Sequence, residues 1–177
     1  DGNQVSHRLA KTVHAAAERL SEELYRKESH FILELIQNAE DNEYAPNVVR
    51  ELAFHLTRQD ILDYSSDGTL IVVNNELGFQ PNHVDAICDL GQSTKSKQMG
   101  YIGEKGIGFK SVFVVSAYPH IFSAGYQFRF QEQKDPEAGL GYIYPYWVAD
   151  VPSELTRYAG MTILVLPLKE GQYEKIA

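Results

Sequence analysis

The sequence predicts an α+β domain in which a mixed, mostly antiparallel sheet carries helices on one face. Two observations lead to this prediction. Helical periodicity is concentrated in the first half of the chain, at residues 4–28, 31–41 and 81–90, whereas strand-like runs dominate the second half. Short turns link the successive strands. The 177 residues are treated as a single domain, residues 1–177.

The helices are predicted from the spacing of apolar residues and from the Pro and Gly residues that mark helix ends. Residues 4–28 place apolar side chains at helical intervals, which predicts a long amphipathic helix. Residues 31–41 contain no Gly or Pro and should form a second helix that stops before Pro46. Pro81 opens a third helix, which Gly91 closes. A fourth helix is expected over residues 109–117, despite its β-branched content.

The predicted strands rest on alternation and on β-branched runs. Residues 50–58 alternate apolar and polar side chains, as in a strand with one solvated face. Residues 69–74 are rich in Ile and Val, which is typical of a central strand. The remaining strand signals lie at residues 120–123, 126–131, 142–149 and 161–168.

Net charge, apolar segments and cysteine content limit the partners and the cellular location that we expect for this protein. The formal net charge is −8, which disfavours nucleic acid and anionic lipid as general partners. No apolar segment reaches the length of a membrane span, and no secretory signal is visible. The single cysteine, Cys88, lies in an apolar run and is interpreted as a core residue in a reducing compartment. We therefore expect an intracellular protein, cytoplasmic or nuclear. A start at Asp1 without methionine suggests a module of a larger multidomain protein.

The helix at residues 31–41 carries a polar stripe. With about 100° per residue, Asn38 lies about 40° to one side of Glu34 and Asp41 about 20° to the other. Burying these groups without partners would cost several kcal/mol, so a ligand or metal would satisfy them. A solvated helix face explains the same pattern equally well.

A glycine-rich segment precedes the predicted helix at residues 109–117. Gly103, Gly106 and Gly108 nearly form a P-loop, but Phe109 puts Lys110 out of register. Glycines let the backbone approach a ligand closely, and a helix start adds a positive dipole end. The alternative is a flexible loop with no ligand.

Taken in order, these motifs resemble those of the GHKL ATPases, the superfamily of gyrase, heat-shock chaperones, histidine kinases and MutL. The spacing from Glu34 through Asn38 to Asp41 is similar to the N-box, and residues 74–79 to the adenine-recognition turn. Residues 103–109 resemble the phosphate-binding glycine box. Thr162 is similar to the threonine that supports adenine binding. The residues within these motifs are most similar to those of the sacsin and NO VEIN-like branch, whose members are large proteins.

The resemblance implies a two-layer α/β sandwich of the Bergerat, or histidine kinase-like ATPase, type. It implies that Glu34 is the general base, that Asn38 binds Mg²⁺ and that Asp41 lies beside the nucleotide. Residues 93–101 would form a lid, in which Lys95 is a weak candidate for a phosphate contact. The remaining nucleotide-binding residues would be Asn74, Gly78, Phe79, Gly103, Glu104, Lys105, Gly106, Ile107, Gly108, Phe109 and Thr162.

The implied function is ATP binding with Mg²⁺-dependent hydrolysis, which closes the lid and changes the conformation of a larger chaperone-like or regulatory protein. ATP and ADP would be the ligands. A following domain of the same protein would supply a basic residue to the site. Turnover by this chain in isolation would therefore be weak. The resemblance also implies a possible nucleotide-dependent dimer. The alternative is a non-catalytic adenine-nucleotide sensor or scaffold. A histidine kinase is less favoured, because no phosphoacceptor segment is recognisable.

The adenine-recognition turn departs from the family pattern at two positions. Asn74 stands where the family usually has an Asp, and Glu76 replaces the first glycine of the turn. An Asn carbonyl can still accept a hydrogen bond from the adenine amino group. Because that bond is neutral rather than charge-assisted, we expect an affinity loss of about 1 kcal/mol.

Overall fold

The structure is a computed structural model, and it describes residues 30–88, 108–132 and 141–177. The described strands form one open six-stranded sheet in the order β1-β2-β6-β3-β4-β5, with every neighbouring pair antiparallel. This confirms the predicted α+β class. The strands are β1 Leu52–Thr57, β2 Thr69–Asn74, β3 His120–Ser123, β4 Tyr126–Arg129, β5 Tyr146–Trp147 and β6 Thr162–Pro167.

Five helical segments accompany the sheet in the described ranges. The α-helices are α1 His30–Asp41, α2 Pro81–Cys88 and α3 Gln172–Ile176, and the 3₁₀ helices are η1 Gly108–Val114 and η2 Ser153–Tyr158. None of these helices has both the length and the apolar character that crossing a membrane requires.

The strands β2 and β6 form the centre of the domain. All six residues of β2 are buried, because apolar side chains cover both faces of the sheet. On one face, Val72 and Leu164 pack with the buried side of α1, whose Phe31 and Leu35 lie four residues apart. Val84 and Ile87 of α2 and Tyr173 and Ile176 of α3 pack against the same cluster.

The opposite face of the sheet has a smaller core. It consists of Ile71, Val73, Ile163 and neighbouring apolar side chains, and Leu155 of η2 is buried among them. The α-helices of the described chain therefore share one face, as predicted. The 3₁₀ helix η2, which the sequence analysis did not predict, covers part of the other face.

Several predicted elements need correction. Residues 109–117 were expected to form an α-helix, but the segment is the 3₁₀ helix η1, all seven residues of which are buried. The strand expected at residues 142–149 is reduced to the two residues of β5, because Pro145 just before it lacks an N–H group for strand pairing. The short helix α3 was not predicted. The helix expected at residues 4–28 and the lid expected at residues 93–101 lie outside the described residues.

Lys110 is a buried lysine within η1. Its Nζ donates a hydrogen bond to the backbone carbonyl of Tyr142 at 2.5 Å and lies 4.1 Å from the ring centroid of Phe130. It therefore ties the segment after the glycine box to residues 141–143 rather than facing a phosphate. Burial lowers the pKa of Lys110 to about 7, despite these contacts that favour its charged form.

We expect this lysine to make stability depend on pH. Because its pKa is about 7 in the folded state and near 10.5 when exposed, the unfolded chain holds the extra proton between those values. Raising the pH from 7 to 8.5 should therefore raise the free energy of unfolding relative to Lys110→Met, with a slope that increases toward about 1.4 kcal/mol per pH unit. Urea unfolding of both proteins across this range measures the difference. Parallel pH profiles would contradict the assigned pKa.

Candidate functional site

A pocket opens on the α-helical face of the sheet, between α1, α2, the start of η1 and the ends of β2 and β6. It encloses about 840 Å³ of space, including its open mouth. Most of its lining is apolar, and the polar lining residues are Asn38, Asn42, Asn74, Glu76, His83 and Thr162. An apolar cleft with a few converging polar groups is typical of a site that binds a small molecule.

The sheet register brings two predicted site residues together. Asn74, the last residue of β2, lies directly opposite Thr162, the first residue of β6. The two are 88 positions apart in the sequence, so only the antiparallel pairing makes them neighbours. Both line the pocket.

Asn74 is 6% exposed and is held at both ends of its amide. Its Nδ2 donates to Tyr44 Oη at 2.9 Å, and its Oδ1 accepts from the backbone N–H of Glu76 at 2.8 Å. The Tyr44 hydroxyl in turn donates to the carbonyl of Ala39 in α1 at 2.6 Å. Asn74 therefore connects the end of α1 to the turn that follows β2, and its amide is fixed in orientation.

Glu76 is the second polar residue that is only 6% exposed in this pocket. Its Oε1 accepts a hydrogen bond from Thr162 Oγ1 at 2.7 Å. Thr162 Oγ1 lies 2.5 Å from Ser123 Oγ, which accepts from the backbone N–H of Phe79 at 2.9 Å. A chain of hydrogen bonds thus joins the turn after β2, the start of β6 and the end of β3.

Gly78 and Phe79 complete the turn. Gly78 has φ +92°, a left-handed conformation, and a Cβ at this position would lie 2.7 Å from the Cβ of Ala124. Ala124 belongs to the tight turn between β3 and β4. The turn after β2 therefore packs directly on the β3–β4 turn, and this contact requires glycine. The Phe79 side chain lines the pocket just before α2 begins.

The helix α1 contributes Asn38 to the pocket lining, and Asn42, the first residue after the helix, also lines the pocket. Glu34 lies one turn earlier, outside the lining, with its side chain 19% exposed and its Oε1 3.5 Å from His30 Nε2. Its Oε2 occupies the space that a Cβ on Gly108 would need. The predicted general base therefore packs against the last glycine of the predicted glycine box.

The predicted site residues fall into three groups. Those that line the pocket are Asn38, Asn74, Phe79, Phe109 and Thr162. Those that lie in the described chain outside the lining are Glu34, Asp41, Gly78 and Gly108. Those outside the described residues are Lys95, Gly103, Glu104, Lys105, Gly106 and Ile107.

Several pocket residues were not predicted. The sequence analysis named Asp41, but Asn42 is the neighbour that lines the pocket. Glu76 was noted only as a departure from the family pattern, and Ser123 and Tyr44 were not singled out. Nothing in the sequence distinguishes these side chains from ordinary turn and strand residues, because their importance comes from contacts between distant elements. Cys88, at the end of α2, is partly buried and packs against the main core, and burial raises the pKa of its thiol.

Comparison with known proteins identifies the family. The profile of the Sacsin domain matches residues 16–136, which is more than half of the chain. The chain belongs to the Sacsin domain family. Protein NO VEIN of Arabidopsis thaliana is 50% identical to it over 130 residues, which is 73% of this chain and 4% of that protein. These matches confirm the predicted relationship to the sacsin and NO VEIN-like branch. They also show that this Sacsin domain corresponds to a small part of a much larger relative.

The pocket of this Sacsin domain contains side chains that could hold Mg²⁺. The ion prefers oxygen ligands and takes only one or two from protein, the others coming from substrate phosphates and water. Asn38 and Asn42 both line the pocket, and each carries an amide oxygen of the kind that Mg²⁺ accepts. In the part of the chain that the structure describes, no three His, Cys, Asp or Glu side chains cluster as a metal site. The residues thus fit an ion shared with a phosphate ligand better than a fully protein-bound metal.

The contact between the two turns gives a prediction for the Sacsin domain. Gly78 and Gly125 both have positive φ values, +92° and +87°, but only Gly78 has a neighbour within reach of an added Cβ. Gly78→Ala should therefore lower the free energy of unfolding by about 1–3 kcal/mol more than Gly125→Ala does, because it adds overlap to the same backbone strain. Chemical denaturation measures both.

The double variant Gly78→Ala with Ala124→Gly is the control. It removes the clashing Cβ and should recover most of the extra loss. Equal losses for the two single variants would show that the turns do not pack as described.

Proposed function

We propose that this Sacsin domain is an adenine-nucleotide-binding module of the GHKL ATPase type, with the Bergerat arrangement of sheet and helices. In this proposal it hydrolyses ATP with Mg²⁺ and drives a conformational change in a larger chaperone-like or regulatory protein. The observation that supports it most is the convergence of Asn38, Asn74 and Thr162 on one pocket. These residues come from three elements and were selected by sequence motif alone.

The pocket has the features that a purine base requires. Apolar side chains, among them Phe79, Ile87, Phe109 and Leu164, supply surfaces for a flat ring. Asn74, Glu76 and Thr162 supply hydrogen-bonding groups next to each other. The base would lie between the sheet and α2, and its polar edge would face the ends of β2 and β6.

The other end of the site is suited to phosphates. Gly108, the last glycine of the predicted box, begins η1, and Glu34 packs against it. The backbone N–H groups at the start of a helix attract anions. In this proposal, the carboxylate of Glu34 accepts a proton from a water molecule that attacks the terminal phosphorus, while the bond to the leaving ADP oxygen breaks. His30, 3.5 Å away, orients this carboxylate.

Mg²⁺, when bound, neutralises charge on the phosphates, and Asn38, together with Asn42, would hold it through amide oxygens. The residues of this chain do the remaining work: Glu34 accepts the proton, and the apolar pocket walls exclude water from the base. A basic residue from a following domain would complete the site in the larger protein. Turnover by the chain alone is therefore expected to be slow.

Binding is the first test. A nucleotide that binds only the folded state adds about 2.7 kcal/mol of stability at a concentration a hundredfold above its Kd. Millimolar ATP with Mg²⁺ should therefore raise the melting temperature, and calorimetry should detect binding. No shift and no heat with ATP or ADP would refute the proposed function.

Catalysis is the second test. Glu34→Gln should leave ATP affinity within about twofold and reduce phosphate release by roughly 10²–10⁴-fold, because it removes the proton acceptor. Glu40→Gln, on the same helix but exposed, is the matched control and should have wild-type turnover. Steady-state phosphate release at saturating ATP is the measurement. ATP binding with no turnover that depends on Glu34 would favour the alternative, a non-catalytic nucleotide sensor or scaffold.

A further inference from the structure

Glu76 places a negative charge in a part of the pocket where the sequence motif has none. Among the described residues that line the pocket it is the one Asp or Glu, and it is only 6% exposed. Withdrawing a carboxylate from water is costly unless hydrogen bonds or an opposite charge compensate. Replacement of a glycine by a buried carboxylate therefore needs a compensating set of donors, and the surrounding hydrogen bonds supply part of it.

The hydrogen bonds around Glu76 run in a single direction. A hydroxyl group has one hydrogen, and Thr162 donates its hydrogen to Glu76 Oε1 at 2.7 Å. Ser123 must then donate to Thr162, across 2.5 Å, while it accepts from the N–H of Phe79 at 2.9 Å. The three bonds point toward the carboxylate, which is the acceptor at the end of this chain of hydrogen bonds.

This direction decides which group can receive a hydrogen bond from a ligand. The hydrogen of Thr162 is already used, so Thr162 cannot donate to a base while this chain is intact. Asn74 is neutral, and its Oδ1 holds the backbone N–H of Glu76 at 2.8 Å. A carboxylate offers about four acceptor sites, so a ligand can donate to Glu76 alongside its partners in the protein. The charged acceptor at this end of the pocket is therefore Glu76.

We propose that Glu76 determines base specificity by accepting a hydrogen bond from the exocyclic amino group of a bound adenine, and that Asn74 and Thr162 position its carboxylate. This inference rests on the proposed nucleotide binding. A carboxylate only accepts hydrogen bonds, so a ring with an amino group at C6 is favoured over a ring with hydrogen or a carbonyl oxygen there. Hydrogen bonds to a charged group contribute more than neutral ones, so the preference should be larger than a neutral amide alone would give.

The test compares ATP with purine riboside triphosphate, which lacks only the C6 amino group. Calorimetry on the unmodified chain should show ATP binding about 10–100-fold tighter, the range expected for a hydrogen bond to a charged group. In Glu76→Gln the same ratio should fall to about 2–10-fold, because the acceptor becomes neutral. The Gln side chain can still accept from Thr162, so the pocket keeps its shape. Glu51→Gln, an exposed carboxylate just before β1, is the matched control and should keep the wild-type ratio.

The other possible results contradict either the role of Glu76 in base recognition or the proposed function itself. A ratio near one on the unmodified chain, which requires no variant, removes Glu76 from base recognition. So does an unchanged ratio in Glu76→Gln. Tighter binding of GTP than of ATP would show that the carboxylate reads the N–H donors of guanine, and would refute the adenine assignment. Absence of binding by all three nucleotides would instead refute the proposed function, on which this inference depends.

Discussion

The antiparallel register between β2 and β6 is the constraint on which the site depends. It places Asn74 opposite Thr162 and continues to the pair Thr69 and Pro167. Because side chains alternate between the two faces, a shift of one residue would move every apolar side chain of a strand to the opposite face. Both faces of these strands are covered by core side chains, and both cores use alternate residues of the same ladder. The packing of two separate cores therefore fixes the position of two polar residues at one end of the ladder.

At that end of the ladder, hydrogen bonds between polar groups connect the elements, as apolar packing does elsewhere in the domain. From Ala39 through Tyr44 and Asn74, and from Glu76 through Thr162 and Ser123 to Phe79, hydrogen bonds connect α1, β2, β6 and β3. Such networks are costly when partly satisfied and rigid when complete. The pocket is bounded on this side by a hydrogen-bonded polar wall and elsewhere mostly by apolar side chains. This asymmetry allows a ligand to be oriented as well as enclosed.

The sequence predicted the elements whose pattern is local and strong. Helix α1 and strands β2 and β6 were expected near their observed limits, because a continuous run of helix formers or of β-branched residues decides their state. Elements that packing decides were missed or altered: η1 is a buried 3₁₀ helix rather than an α-helix, and η2 is held by one buried side chain, Leu155. Likewise, motif spacing selected Asn38, Asn74 and Thr162, but the buried state of Glu76 required the tertiary fold. From the sequence alone, a glutamate in a turn is expected to be exposed to solvent.

The two departures from the GHKL pattern explain each other in physical terms. An Asp at position 74 together with Glu76 would place two carboxylates two residues apart, each in surroundings that leave only 6% of the side chain exposed. Like charges at such a distance in a poorly solvated site repel, and one of them would be forced to hold a proton. With Asn74 the first position is neutral, and its carbonyl can hold the Glu76 backbone without this repulsion. The negative charge is thereby moved from the end of the strand to the turn, where Thr162 and Ser123 direct their hydrogens toward it. A neutral residue at position 74 thus avoids a like-charge contact with the carboxylate at position 76, which is the acceptor in our proposal.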